Sequence, residues 1–154
     1  VRIALLASLI NRVGNLIRSL PEMDSLKELK TILNTEVSDY WKDHYQFNIF
    51  SVDKKKFLGD ASYRTILINA IVPFTFLYAQ EKGDEKLMKK AFGWLEEEKA
   101  ESNFIVKMWE ECGFVFDTAL QSQAIIQLYR EYCEKHQCLT CRIGQEVFKS
   151  IIFP

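Results

Sequence analysis

Three of the four cysteines lie in one stretch, YCEKHQCLTCRIG, residues 132–144. The spacing is Cys133, four residues, Cys138, two residues, Cys141, with His136 in the first gap. Zinc takes four Cys or His ligands, often with a pair two to four residues apart. Iron–sulfur clusters take four thiolates. Cys133, Cys138 and Cys141 are therefore candidate metal ligands, with His136 or a water as the fourth. Cys112 is excluded from that set if the helix expected from Asp117 to Cys133 is intact. Such a helix is about 24 Å long, and the link from Cys112 to Asp117 reaches about 17 Å at most. Cys112 itself is expected to be a small buried residue at a helix end. Cys138 and Cys141 also form a CxxC pair at an expected helix start, where a redox dithiol can sit. The plainest alternative is three reduced thiols packed in a helix–turn–helix corner.

A second constellation is YWKDHYQF, residues 40–47. Read as a helix, it places Tyr40, His44 and Phe47 on one side and Trp41 and Tyr45 on the adjoining one. His44 could act as a base or ligand within an aromatic pocket. An aromatic core belt with a hydrogen-bonded histidine explains the same residues. Asn69, four residues before Pro73 in an apolar run, completes the possible pocket of Tyr40, Trp41, His44 and Asn69. A buried amide there could bond the carbonyl that proline frees. Lys54-Lys55-Lys56 is the only dense basic run and reads as a solvated loop. Together with Arg64 and Arg142 it is the only phosphate-facing side the sequence offers. No Ser–His–Asp order, glycine-rich phosphate loop or HExxH motif is present.

The elements that position these residues are helical. Ile3, Leu6, Ile10, Val13, Ile17 and Leu20 recur at steps of three and four, an amphipathic helix with one buried stripe ended by Pro21. Ser25 opens a capping box with Glu28 before Leu26, Leu29, Ile32 and Leu33. Asn34-Thr35 stops that helix and starts the next, and Ser51 to Gly59 is a loop. Asp60 or Ser62 caps a long helix through Tyr78, apolar all round in its middle, with a kink expected at Pro73. Gly83 ends it and Asp84 caps the next, running to about Glu98 with Leu87, Met88, Ala91, Phe92, Trp94 and Leu95 inward. Ser102 caps a helix stopped by Gly113. Asp117 caps another, with Ser122 facing inward, and a last helix runs from Leu139 to Ile151. No strand alternation runs far enough to build a sheet.

The expected fold is all-α, a single compact array of about eight mostly antiparallel helices around the central helix near Ile66–Tyr78. At 154 residues the chain suits one domain, 1–154. Its first residue is not Met, so it reads as the C-terminal fragment of a longer protein. The net charge of -1 does not indicate a nucleic-acid binder. No signal peptide or run of about 20 apolar residues is found, so the chain reads as cytoplasmic.

RIALLASLI, YWKDHYQF, LINAIVPFTFLYA, SQAIIQLYREYC and CLTCRIG together resemble the C-terminal part of an uncharacterised bacterial family. It is catalogued as domain of unknown function twenty-eight fifty-one and is associated with Bacteroidetes-type bacteria. The resemblance implies no established activity, substrate or cofactor. It includes Cys133, Cys138 and Cys141 but neither Cys112 nor His136. The first expectation is a non-catalytic accessory or interaction domain of a larger intracellular protein, packing on the N-terminal region of its own chain or on another copy. The second is a nucleic-acid-associated module with a Cys-based zinc or iron–sulfur site. The third is a cysteine redox domain.

Overall fold

The computed structural model describes residues 2–13, 16–23, 25–52 and 56–152, with backbone alone at positions 2, 12, 13, 16, 17 and 152. The fold is all-α apart from one small hairpin. The chain forms two compact units, Val1–Trp94 and Leu95–Pro154.

The first unit opens with α1 (Arg2–Val13) and the short α2 (Leu16–Ser19). α1 packs on α3 (Leu26–Leu33). Ser25 caps α3 as its sequence predicts, accepting from the Glu28 amide, and Leu29 and Leu33 are fully buried. The stripe expected to bury α1 faces outward instead. Ile3, Leu6 and Ile10 are 83%, 54% and 63% exposed, and Leu9 is the buried residue. Periodicity marked an apolar face, but the packed side is the neighbouring one. Val13 and Ile17 lie outside the described side chains.

YWKDHYQF is not one helix. It divides into α4 (Asp39–Lys42) and β1 (His44–Gln46), which pairs antiparallel with β2 (Ile49–Phe50). The helix stops because its last carbonyls are taken by side chains from outside it. His44 Nδ1 lies 2.8 Å from Tyr40 O, and Lys56 Nζ donates to Trp41 O at 2.7 Å. Asn48, at φ 59°, then turns the chain in the left-handed region that Asn tolerates.

α5 (Asp60–Ile66) and α6 (Val72–Lys82) form one long helix around a π-helical turn, Leu67–Ile71. Pro73 has no N–H and its ring crowds the carbonyl four residues back. The turn widens just before it, so that the Val72 amide bonds Leu67 O, five residues away. Leu67, Ile68, Ile71, Val72, Thr75 and Ala79 are buried. The helix is not enclosed all round, because Phe74, Leu77 and Tyr78 are exposed. Asn69 is exposed too, and donates to Thr65 O at 3.0 Å rather than to the carbonyl freed by Pro73. Gly83, at φ 65°, ends α6, with the Asp84 amide reaching back to Ala79 O. Asp84 then accepts from the Leu87 amide to start α7 (Glu85–Glu97). Leu87, Ala91, Trp94 and Leu95 are buried as expected, while the half-exposed Phe92 meets Phe76 edge to face.

The second unit contains α8 (Phe104–Glu111), α9 (Ala119–Leu128), a second π-helical turn at Tyr129–Cys133, and α10 (Arg142–Ile152). α8 and α9 pack through Val106, Ile125 and Ile126, flanked by Trp109 and Phe116. Both caps fall one residue later than predicted. Asn103 caps α8, and Thr118 caps α9 in a reciprocal box with Gln121. Asp117 has no Gln or Glu three residues on, so Thr118 wins. Ser122 is fully buried, donates to Ala119 O and accepts from the Glu101 amide at 3.1 Å. α10 begins three residues later than predicted, after a turn that holds Cys138 and Cys141.

Candidate functional site

The cysteine corner is built from the end of α9 upward. The π-helical turn carries Cys133, and the chain leaves it through a left-handed residue three positions on. His136 sits at φ 53°, its amide bonds Cys133 O at 3.1 Å, and the Gln137 amide reaches Tyr132 O at 2.8 Å. That pair of bonds is the Schellman pattern, normally completed by Gly. His136 is therefore held as a backbone cap, with its side chain exposed. The left-handed region costs a non-glycine residue ~1–2 kcal/mol. Replacing His136 with Gly is expected to raise the stability of this unit by about 1 kcal/mol, allowing for the added freedom of the unfolded chain. A urea titration of the variant checks this, and a loss of stability would show that the imidazole contributes contacts.

The Thr140 and Cys141 amides both bond Gln137 O, at 3.2 and 3.1 Å, and wind residues 137–141 into one turn. Gln145 ties that turn to α10, its amide on Cys141 O and its Nε2 on Leu139 O, both at 2.9 Å. Gly144 lies against the turn. A β-carbon there would stand 2.2 Å from the Cys138 carbonyl oxygen. All four cysteines are free: Cys141 is buried, Cys133 is half-buried, and Cys138 and Cys112 are exposed. The expectation of a buried Cys112 is thus corrected, because the α8 cap leaves its side chain outside. Burial, then the neighbouring Cys141 and Cys138, push the Cys133 thiol above its ordinary pKa. Among the described residues, no group of three or more His, Cys, Asp or Glu is placed to hold a metal ion.

The aromatic constellation is assembled, though by a hairpin rather than a helix face. Tyr40 stacks on His44 at 4.2 Å between ring centroids, and Trp41 meets Phe47 at 4.9 Å. Phe50 from β2 lies 4.4 Å from the His44 ring. His44 is 6% exposed. Its Nδ1 faces two acceptors, Tyr40 O and Asp43 Oδ1 at 2.7 Å, so that nitrogen carries a proton. Asn69 does not join this cluster, since its amide is committed to Thr65 O.

Sequence reasoning missed Lys56. It is 8% exposed, not solvated. Its ammonium donates to Trp41 O at 2.7 Å and His44 O at 3.0 Å, and stands 4.2 Å from the centre of the Tyr45 ring. Its own carbonyl accepts from the Val37 amide at 3.2 Å. The available signal was a lysine close to Phe57 in a loop following an aromatic run. Lys54 and Lys55 lie outside the described residues. With Lys56 occupied in this way, its charge is not presented to a phosphate. Arg64 and Arg142 belong to different units.

Among the described residues, no helix is long and apolar enough to cross a membrane. No curated protein and no solved structure matches the chain. A family model matches residues 1–104, which takes in α1 to α7 and the hairpin and stops before the cysteine corner. Because that match spans more than half of its length, the chain belongs to the family described as Protein of unknown function (DUF2851).

Proposed function

We propose that the chain is a non-catalytic interaction module of a cytoplasmic protein, docking a helix of a protein partner on α1. The observation that carries this reading is the pair of faces on α1. One side packs on α3, and the neighbouring stripe of Ile3, Leu6 and Ile10 is exposed. A helix that is apolar on two sides belongs between two layers. The sequence of α1 holds Arg2 and Arg12 and no acidic residue. Pairing with a copy of itself would bring like charges together, so a partner helix with acidic flanks fits better. Free cysteines throughout support a reducing compartment.

Photo-crosslinking from position 6 in the full-length protein tests the reading, with exposed Lys27 as the control position. The expected result is adducts at position 6 that map to one acidic amphipathic segment and disappear when Ile10 is replaced by Glu. A cross-link within the same chain would identify a partner supplied in cis. Adducts no different from those at position 27 would overturn the proposal.

A further inference from the structure

We infer that the corner of Cys133, Cys138 and Cys141 is a thiol–disulfide site, in which Cys138 exchanges with a low-molecular-weight disulfide and Cys141 resolves the product. Accessibility assigns the first role. Cys138 is exposed and can meet a reagent, whereas Cys141 is buried and is reached only from within the protein. The backbone assigns the second. Residues 137–141 form one turn on Gln137 O. Side chains three apart on a helical turn have β-carbons about 5–6 Å apart. A disulfide needs about 3.5–4.5 Å. The bond can thus close by adjusting a turn, without moving a helix. The Cys138 carbonyl lies against Gly144 and the Cys141 carbonyl accepts from the Gln145 amide, so the turn that carries both stays docked against α10 while the bond forms. At Cys133, burial and the neighbouring sulfurs disfavour the thiolate.

The exchange runs in two steps. The Cys138 thiolate attacks one sulfur of the small disulfide, whose S–S bond breaks and whose released thiolate takes up a proton. Cys141 loses its proton to water and attacks the Cys138 sulfur, expelling the second small thiol. The protein loses two protons and two electrons, and the small disulfide takes up both as two thiols.

Glutathione disulfide is the probe, with acid quenching, alkylation and peptide mapping by mass spectrometry. The folded wild-type chain is expected to form a Cys138–Cys141 bond with loss of two hydrogens, reversed by dithiothreitol. Cys141→Ser should stop at a stable glutathione adduct on Cys138. Cys133→Ser should still close the bond. Cys112→Ser removes the background from the other exposed thiol without altering these results. The inference fails if the wild type accumulates only mixed adducts at Cys138 and Cys112, or if the bond forms to Cys133 in place of Cys141.

Discussion

Gly144→Ala is expected to cost the second unit about 3 kcal/mol, at the upper end of overpacking effects. The new methyl would meet a backbone carbonyl, Cys138 O, at 2.2 Å, and no flexible side chain is there to yield. Either the turn 137–141 leaves α10 or the first turn of α10 unwinds. Both routes break the bonds from the Gln145 amide to Cys141 O and from the Gln145 side chain to Leu139 O. Hydrogen exchange should therefore accelerate at the Cys141 and Gln145 amides before any other site, alongside a lower urea midpoint. The matched control is Gly93, inside α7, where a β-carbon would meet nothing within 4 Å. Ala there should stabilise by about 0.5–1 kcal/mol, the ordinary helix gain. Equal responses at the two glycines would remove the case for a close approach at Gly144.

Lys56→Met should destabilise the first unit by about 2–4 kcal/mol. The stem is kept and only the ammonium goes, so packing is nearly conserved. What is lost is the donor to Trp41 O and His44 O, the first a carbonyl at the end of α4 and the second in β1. Those carbonyls would lose the ammonium donor in buried and part-buried surroundings, and the attraction to the Tyr45 ring would vanish. The exchange signature should be local, at the Val37 amide on Lys56 O and the Ser51 amide on Asp43 O. Lys27→Met, at an exposed lysine on α3, should shift stability by less than ~0.5 kcal/mol. If both lysines behave alike, Lys56 is not the strap that the geometry describes.

These two residues also show where reading the sequence stops. Ser25, Gly83 and Asp84 were legible because a cap is written within four residues of the helix it ends or begins. Ser122 was legible because inward phase propagates along α9. The all-helical class followed from repeated steps of three and four. The hairpin was not legible, because Tyr40, His44 and Phe47 satisfy a helical spacing equally well. What decides against the helix is Lys56, fifteen residues from the carbonyl it binds. The cysteine spacing was plain, but the role of His136 was not, since nothing local marks a histidine for the left-handed cap. The α1 stripe was visible as a pattern. A pattern shows that a face is apolar, and only the packing shows which face is covered.

The π-helical turn at Leu67–Ile71 acts as a one-residue insertion in an otherwise continuous helix. Each residue advances an α-helix by about 100°. Without the widened turn, Tyr63 before it and Thr75 and Ala79 after it would be spread around the cylinder. With it, all three are buried. The widened turn therefore sets the phase between the two halves of the helix. Removing one residue from the turn itself would leave a regular α-helix in which Tyr63, Thr75 and Ala79 still share a face, because the widened turn is where the extra residue is held. A deletion elsewhere in α5 or α6, with the widened turn kept, would instead rotate everything beyond it by about 100°, as far as Lys82.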